Sequence, residues 1–201
     1  MLPINEGESF TVAAPAGVSQ GAVPDVDPDG DNLTAVVIAN PSHGVLTCPA
    51  TLQAGICQDG AFKYQHDGSE NHSDSFTYTL NDGGCDSNIA TVNFTITPVN
   101  DCPVAVGNTY QVMEGFTLSP SSADGVYKFD FDVDIPANSF TSTHKSLPSH
   151  GVLSCTDPSD PRNGQTNVIC ENGSFSYAHD GTKTTSDSFK YKVNDGFCDS
   201  K

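Results

Sequence analysis

The chain has 201 residues, 36% of them hydrophobic, which suits two small cores of about 100 residues each better than one large domain. Eight Lys and Arg stand against 25 Asp and Glu, a formal charge of −17; a surface this negative repels nucleic-acid phosphates and anionic lipid heads, which are bound through Lys and Arg. No run approaches the roughly 20 apolar residues of a spanning helix, and residues 1–20 lack the charged and apolar regions of a signal peptide, so the expectation is a soluble mature fragment with no membrane insertion, whose targeting signal, if any, lies outside this numbering.

In chain order, the first half offers short segments rich in Val, Ile, Thr, Phe and Tyr: ESFTV, LTAVVIA, GVLTC, AFKYQ, DSFTYTL and NIATVNFTITPV. Several alternate apolar with polar, the period of a half-buried strand, and none sustains a helical period. Asp-Gly pairs punctuate them, at Asp29-Gly30, Asp59-Gly60, Asp67-Gly68 and Asp82-Gly83, and supply the positive φ that tight turns require. The second half repeats the first. SHGVLTC at 42–48 returns as SHGVLSC at 149–155, GAFKYQHDG at 60–68 as GSFSYAHDG at 173–181, and DSFTYTLNDGGCDS at 74–87 as DSFKYKVNDGFCDS at 187–200. The offset grows from 107 to 113 between these motifs, which places a six-residue insertion between Cys155 and Cys170. About seven short strands per 100 residues predict an all-β chain of two tandem immunoglobulin-like sandwiches, residues 1–99 and 100–201. The second copy stops soon after its NDG turn and has no equivalent of NIATVNFTITPV, so it is expected to lack its last strand.

NEGESFTV, DVDPDGDNLTAVVIANPSHGVLT, GAFKYQHDG, DSFTYTLNDG and IATVNFTITPVNDCPVA together resemble the bacterial cadherin-like or Ig-like tandem repeats of large cell-surface adhesins. The resemblance covers nearly all of the first copy and, more loosely, most of the second. It implies extended arrays of sandwiches, calcium at or near domain junctions, and a structural or adhesive role. Seven cysteines depart from the usual pattern of such repeats, which have few.

None of the cysteines stands in a CxxC or CxxH metal spacing, so disulfides in an oxidising, extracellular or cell-surface setting account for them best. Cys48 and Cys57 bracket one loop, and Cys155 and Cys170 bracket its counterpart, so each pair is expected to staple a hairpin. Cys85 and Cys198 are repeat equivalents after the NDG turn, which in an Ig-like sandwich lies at the end where the chain enters the domain. Cys102 sits at that entry in the second copy and is expected to bond Cys198. A Cys85–Cys102 bond would have to span a strand of roughly 40 Å. Cys85 is thus expected to be unpaired here, or bonded to an upstream linker or another subunit.

Hard divalent cations need six to eight oxygen ligands, and DVDPDGDN offers Asp25, Asp27, Asp29, Asp31 and Asn32. By the cadherin-like resemblance, Glu6 and Asp82 join them, and the second copy matches with Asn100, Asp101, Glu114, Asp132, Asp134 and Asp195. These thirteen residues are the candidate Ca2+ ligands, although Asp and Asn are also ordinary turn formers. Sequons at Asn32, Asn71, Asn93 and Asn172 are candidate glycosylation sites. His43 and His66, which recur as His150 and His179, make too few ligands for zinc. No nucleophile elbow or oxyanion loop accompanies any Ser-His-Asp set, and no catalytic residue is assigned. The recurring aromatics Phe62, Tyr64, Phe76 and Tyr78 suit core packing. The leading expectation is a spacer module of an extracellular array or fibre, joined to neighbouring repeats or identical subunits end to end. A carbohydrate- or cell-surface-binding module, using for example the 156–169 insertion, is the alternative.

Overall fold

The computed structural model describes residues 3–13, 18, 25–134 and 140–201. The chain divides into two compact units, Met1–Val99 and Asn100–Lys201.

Unit 1 holds β1 (Pro3–Asn5), β2 (Ser9–Val12), β3 (Thr34–Ala39), β4 (Gly44–Thr47), β5 (Phe62–His66), β6 (Ser73–Asn81) and β7 (Ala90–Thr97). They form two sheets, in the orders β1-β7-β6-β3 and β2-β5-β4. The alternation read from the sequence becomes two faces. On β6, Asp74, Phe76, Tyr78 and Leu80 are buried, while Ser73 and Ser75 are exposed. On β7, Phe94 and Ile96 turn inward between exposed Asn93 and Thr95. These side chains meet Leu46, Phe62 and Tyr64 of the other sheet in one core. Its centre is aromatic: the Tyr64 and Phe94 rings stack at 4.0 Å, and Phe62 meets Phe76 edge-on at 5.3 Å. The three residues of β1 are too few to show a period, yet they pair parallel to β7 and bury Ile4 opposite Ile96.

Unit 2 holds β8 (Thr117–Leu118), β9 (Thr141–Ser146), β10 (Gly151–Ser154), β11 (Ser176–His179) and β12 (Lys190–Asn194). Short 3-10 turns cover Ser122–Asp124 and Val126–Phe129. The sheets are β10-β11-β8 and β12-β9, and the core gathers Val126, Leu153, Ile169, Phe175 and Tyr177. The β10–β11 pairing repeats β4–β5 residue for residue, with Leu153 opposite Tyr177 as Leu46 is opposite Tyr64. Among the described residues β12 pairs with β9 alone, whereas its counterpart β6 lies between β3 and β7. Among the described residues no strand of the second sandwich stands in the place of β7.

Candidate metal centre

Both units contain the same tyrosine–carboxylate lock, buried in unit 1 and half-buried at its carboxylate in unit 2. In unit 1 the Tyr64 hydroxyl donates to Asp74 Oδ2 at 2.8 Å, and the same carboxylate accepts the backbone N–H groups of Ser42, His43 and Ser75 at 2.8–3.0 Å. Unit 2 repeats this with Tyr177, Asp187, Ser149, His150 and Ser188. Burial pushes the Asp187 carboxyl up, but the four donors outweigh it and bring it down to about 2. Gly44 and Gly151 complete the lock, since a Cβ on either would lie 2.4 Å from the tyrosine ring. The S-H-G, F-x-Y-x-H-D-G and D-S-F motifs therefore meet in space: Ser and His supply N–H groups, Gly supplies room, and the Tyr of F-x-Y-x-H and the Asp of D-S-F close the bond.

The candidate metal centre lies where the chain enters unit 2. One carboxylate oxygen from each of Asp132, Asp134 and Asp195 falls within 4.8 Å of the others. Asp132 Oδ2 is buried and has no hydrogen-bond partner. The Asp134 carboxyl is pushed up, first by burial, then by the neighbouring Asp132 and Asp101 carboxylates. Asp195 is held below the usual carboxylate range, chiefly by the Cys198 N–H and also by Asn100. The entering segment fastens this end: Asp101 donates its N–H to Asp134 Oδ2 at 3.1 Å, and Asn100 Nδ2 donates to Asp195 Oδ2 at 2.8 Å. Cys102 is bonded to Cys198. A crowded carboxylate set with an orphaned buried oxygen fits a hard divalent cation. Glu114 is exposed in the turn before β8 and contributes no atom to the group. Of the loop DVDIPANS, residues 135–139 lie outside the described residues.

The acids named for unit 1 are not gathered in that way. Asp27 Oδ1 accepts the N–H groups of Asp29 and Asp31 at 2.8 and 3.2 Å, so it caps its own turn. Asp29, Asp31 and Asn32 are exposed, and neither Asp29 nor Asp31 joins a carboxylate group among the described residues. Asp25 Oδ2 lies 3.4 Å from the Tyr78 hydroxyl, and Asp25, Asp27 and Asp82 line one cavity. Glu6 Oε2 accepts the Val99 N–H, and a Glu6 oxygen lies within 4.8 Å of one on Glu70. Glu70 carried no signal in the sequence, because its closeness to Glu6 arises only on folding.

Cys48 is bonded to Cys57 and Cys155 to Cys170, while Cys85 is a free, exposed thiol. Asp160 stands beside the Cys155–Cys170 bond, but bonded sulfurs are not metal ligands. Its carboxylate instead accepts the N–H groups of Arg162 and Glu171, which ties down the 156–169 insertion. Of the sequon asparagines, Asn32, Asn93 and Asn172 are exposed, but Asn172 is engaged with Asp157 and Ser174. Asn71 bonds His43 and Ser69. His66 Nδ1 accepts the N–H groups of Gly7 and Gly68, and His179 does the same for Gly115 and Gly181. These imidazoles brace turns, and no histidine enters a ligand group among the described residues.

The profile of the bacterial cadherin-like domain matches residues 2–98, and that of the bacterial Ig domain matches residues 100–201. The chain belongs to the bacterial cadherin-like and Ig-like repeats. These families are structural and adhesive domains rather than enzymes. The human extracellular matrix organizing protein FRAS1 is 32% identical over 139 residues, 64% of this chain and 3% of that protein. Human chondroitin sulfate proteoglycan 4 is 29% identical over 206 residues, covering 96% of this chain and 8% of its own length. The chain thus spans under a tenth of these relatives. Cadherin domains 3–6 of protocadherin gamma B2 superpose with a TM-score of 0.43 at 16% identity, covering 98% of this chain and 46% of that one. The cadherin-like and Ig-like repeat is an extracellular or cell-surface module, in keeping with its three disulfides. No helix among the described residues is long and apolar enough to cross a membrane.

Proposed function

We propose that this repeat pair is a non-catalytic spacer of an extracellular array or fibre, stiffened by its disulfides and by calcium bound at Asp132, Asp134 and Asp195. The observation that carries the cation is the convergence of three carboxylates around a buried, unpartnered Asp132 oxygen. Bound calcium supplies a hard divalent charge that accepts six to eight oxygens. Asp132, Asp134 and Asp195 would hold it, with Asp101 adding negative charge beside Asp134. Drawing the entering segment and the NDG turn to one ion would stiffen the end at which a preceding repeat attaches. Among the described residues β12 pairs with β9 alone, and its other edge would accommodate an added strand from a neighbouring repeat or subunit. Exposed Asn32 and Asn93 are the positions best suited to glycans on the sides of such a spacer.

Thermal melts in calcium and in EGTA test the reading. At a calcium concentration 100 times the dissociation constant, binding adds about 2.7 kcal/mol, so the melt rises clearly, and Asp134→Asn removes the rise. The substitution also relieves repulsion, so in EGTA the variant melts at or above the unsubstituted chain. Equal melts in calcium and EGTA would overturn the proposal.

A further inference from the structure

Unit 1 has a cavity of about 330 Å³ lined by Asp25, Asp27, Tyr78, Asp82 and Cys85, among others. In unit 2 the equivalent end is covered by the chain's own residues 100–106. Val104 pairs with Phe131, the Val106 N–H reaches Asp130, and the Tyr191 hydroxyl donates to the Val106 carbonyl. Pro103 is fully buried, and Cys102 beside it bonds Cys198. Tyr78 and Cys85 are the repeat equivalents of Tyr191 and Cys198.

The turn that carries the cysteine is the same in both units. Asp82 Oδ1 accepts the Gly84 and Cys85 N–H groups at 2.7 Å, as Asp195 Oδ1 accepts those of Phe197 and Cys198 at 2.7 and 2.8 Å. Asn81 bonds Asp86, as Asn194 bonds Asp199. Each sulfur lies close to its aspartate, at 3.6 Å for Cys85 and 3.8 Å for Cys198. The geometry that presents a bonded sulfur in unit 2 therefore presents a free one in unit 1, beside a cleft left open among the described residues.

We propose that this cleft receives an extended Asn-Asp-Cys-Pro linker of the kind found at 100–103, entering unit 1 from a preceding repeat, and that the linker cysteine bonds Cys85. In the reaction each thiol gives up its proton and the two sulfurs join. The two electrons and two protons pass to a disulfide oxidant, with oxidised glutathione becoming two reduced molecules by way of a mixed disulfide. A nucleophilic role for Cys85 is disfavoured, because the Asp82 carboxylate pushes its thiol up. The inference rests on the repeat reading but not on calcium.

The test fuses residues 100–108 ahead of Met1, which sets the added cysteine as far before Glu6 as Cys102 stands before Glu114. The control chain carries the same nine residues in scrambled order. Both are refolded in glutathione buffer with calcium or EGTA, alkylated and peptide-mapped. In the matched chain a new Cys85 disulfide forms and Cys85 alkylation falls at least about tenfold relative to the control, from the effective concentration of a docked linker, in both buffers. Equal alkylation or equal bridging in the two chains, or Cys85–Cys85 dimers in place of the linker bond, would overturn the proposal. A matched-chain bridge without any calcium-dependent melt would sink the calcium site alone.

Discussion

In unit 1, β6 lies between β3 and β7, and the strand beyond it, β1, seals Ile4 against Ile96. In unit 2, β12 has one neighbour among the described residues; Phe189 and Tyr191, the counterparts of buried Phe76 and Tyr78, are only partly covered. Unit 2 instead has two disulfides, one closing 96 residues and one closing 15, where unit 1 has a single bond closing nine. The same tyrosine–carboxylate lock thus sits in one unit held mainly by packing and in another held more by cross-links. The comparison teaches that a sandwich whose packing is less complete can be fastened at its end by a disulfide and by hydrogen bonds to its carboxylates.

Three perturbations sharpen the contrast, beginning with the largest. Phe94→Ala removes the ring stacked on Tyr64 and is expected to cost about 3–5 kcal/mol, lowering the melt of unit 1 and leaving that of unit 2 in place, as calorimetry would resolve. Replacing Cys102 and Cys198 by Ser is expected to cost about 2–4 kcal/mol and to lower the melt of unit 2; a loss confined to unit 1 would break the comparison. Asp187→Asn weakens a carboxylate that takes four hydrogen bonds, at about 1–3 kcal/mol, and Asp74→Asn should act alike in unit 1.

The pH dependence follows from the same groups. Asp187 and Asp74 are depressed in the folded state, so their contribution is complete above the ordinary aspartate range near pH 4. The Asp187 part is lost as pH falls toward about 2, and the Asp74 part as pH falls through its own lowered value. Asp134 is raised, so its sign is opposite. Without calcium its destabilising crowding is relieved as pH falls through its folded value, and it returns as pH rises. Because this contribution opposes that of Asp187 and Asp74, the gain in stability in EGTA between pH 3 and 7, read from denaturation midpoints, should be larger for Asp134→Asn than for the unsubstituted chain.

Much of this was legible in the sequence. Period-two runs such as DSFTYTL mark strands because alternate side chains face alternate sides, and the repetition of whole motifs marks two copies. Less legible were features created by distant approach. The Ser42 and His43 N–H groups meet Asp74 across more than 30 residues, and β1 is too short to carry a pattern. DVDPDGDN looks like the richer ligand set, yet Asp27 turns its carboxylate on its own backbone. The poorer DVDIPANS brings Asp132 and Asp134 to Asp195. Composition counts oxygens, whereas a site depends on where the turns point them.

The most direct test is a calcium titration of the full chain followed residue by residue in 1H–15N NMR spectra. The account predicts saturable shifts centred on Asp132, Asp134, Asp195 and Asp101, with Asp29, Asp31 and Asn32 unmoved. Shifts centred on residues 29–32, or none at all, would contradict it.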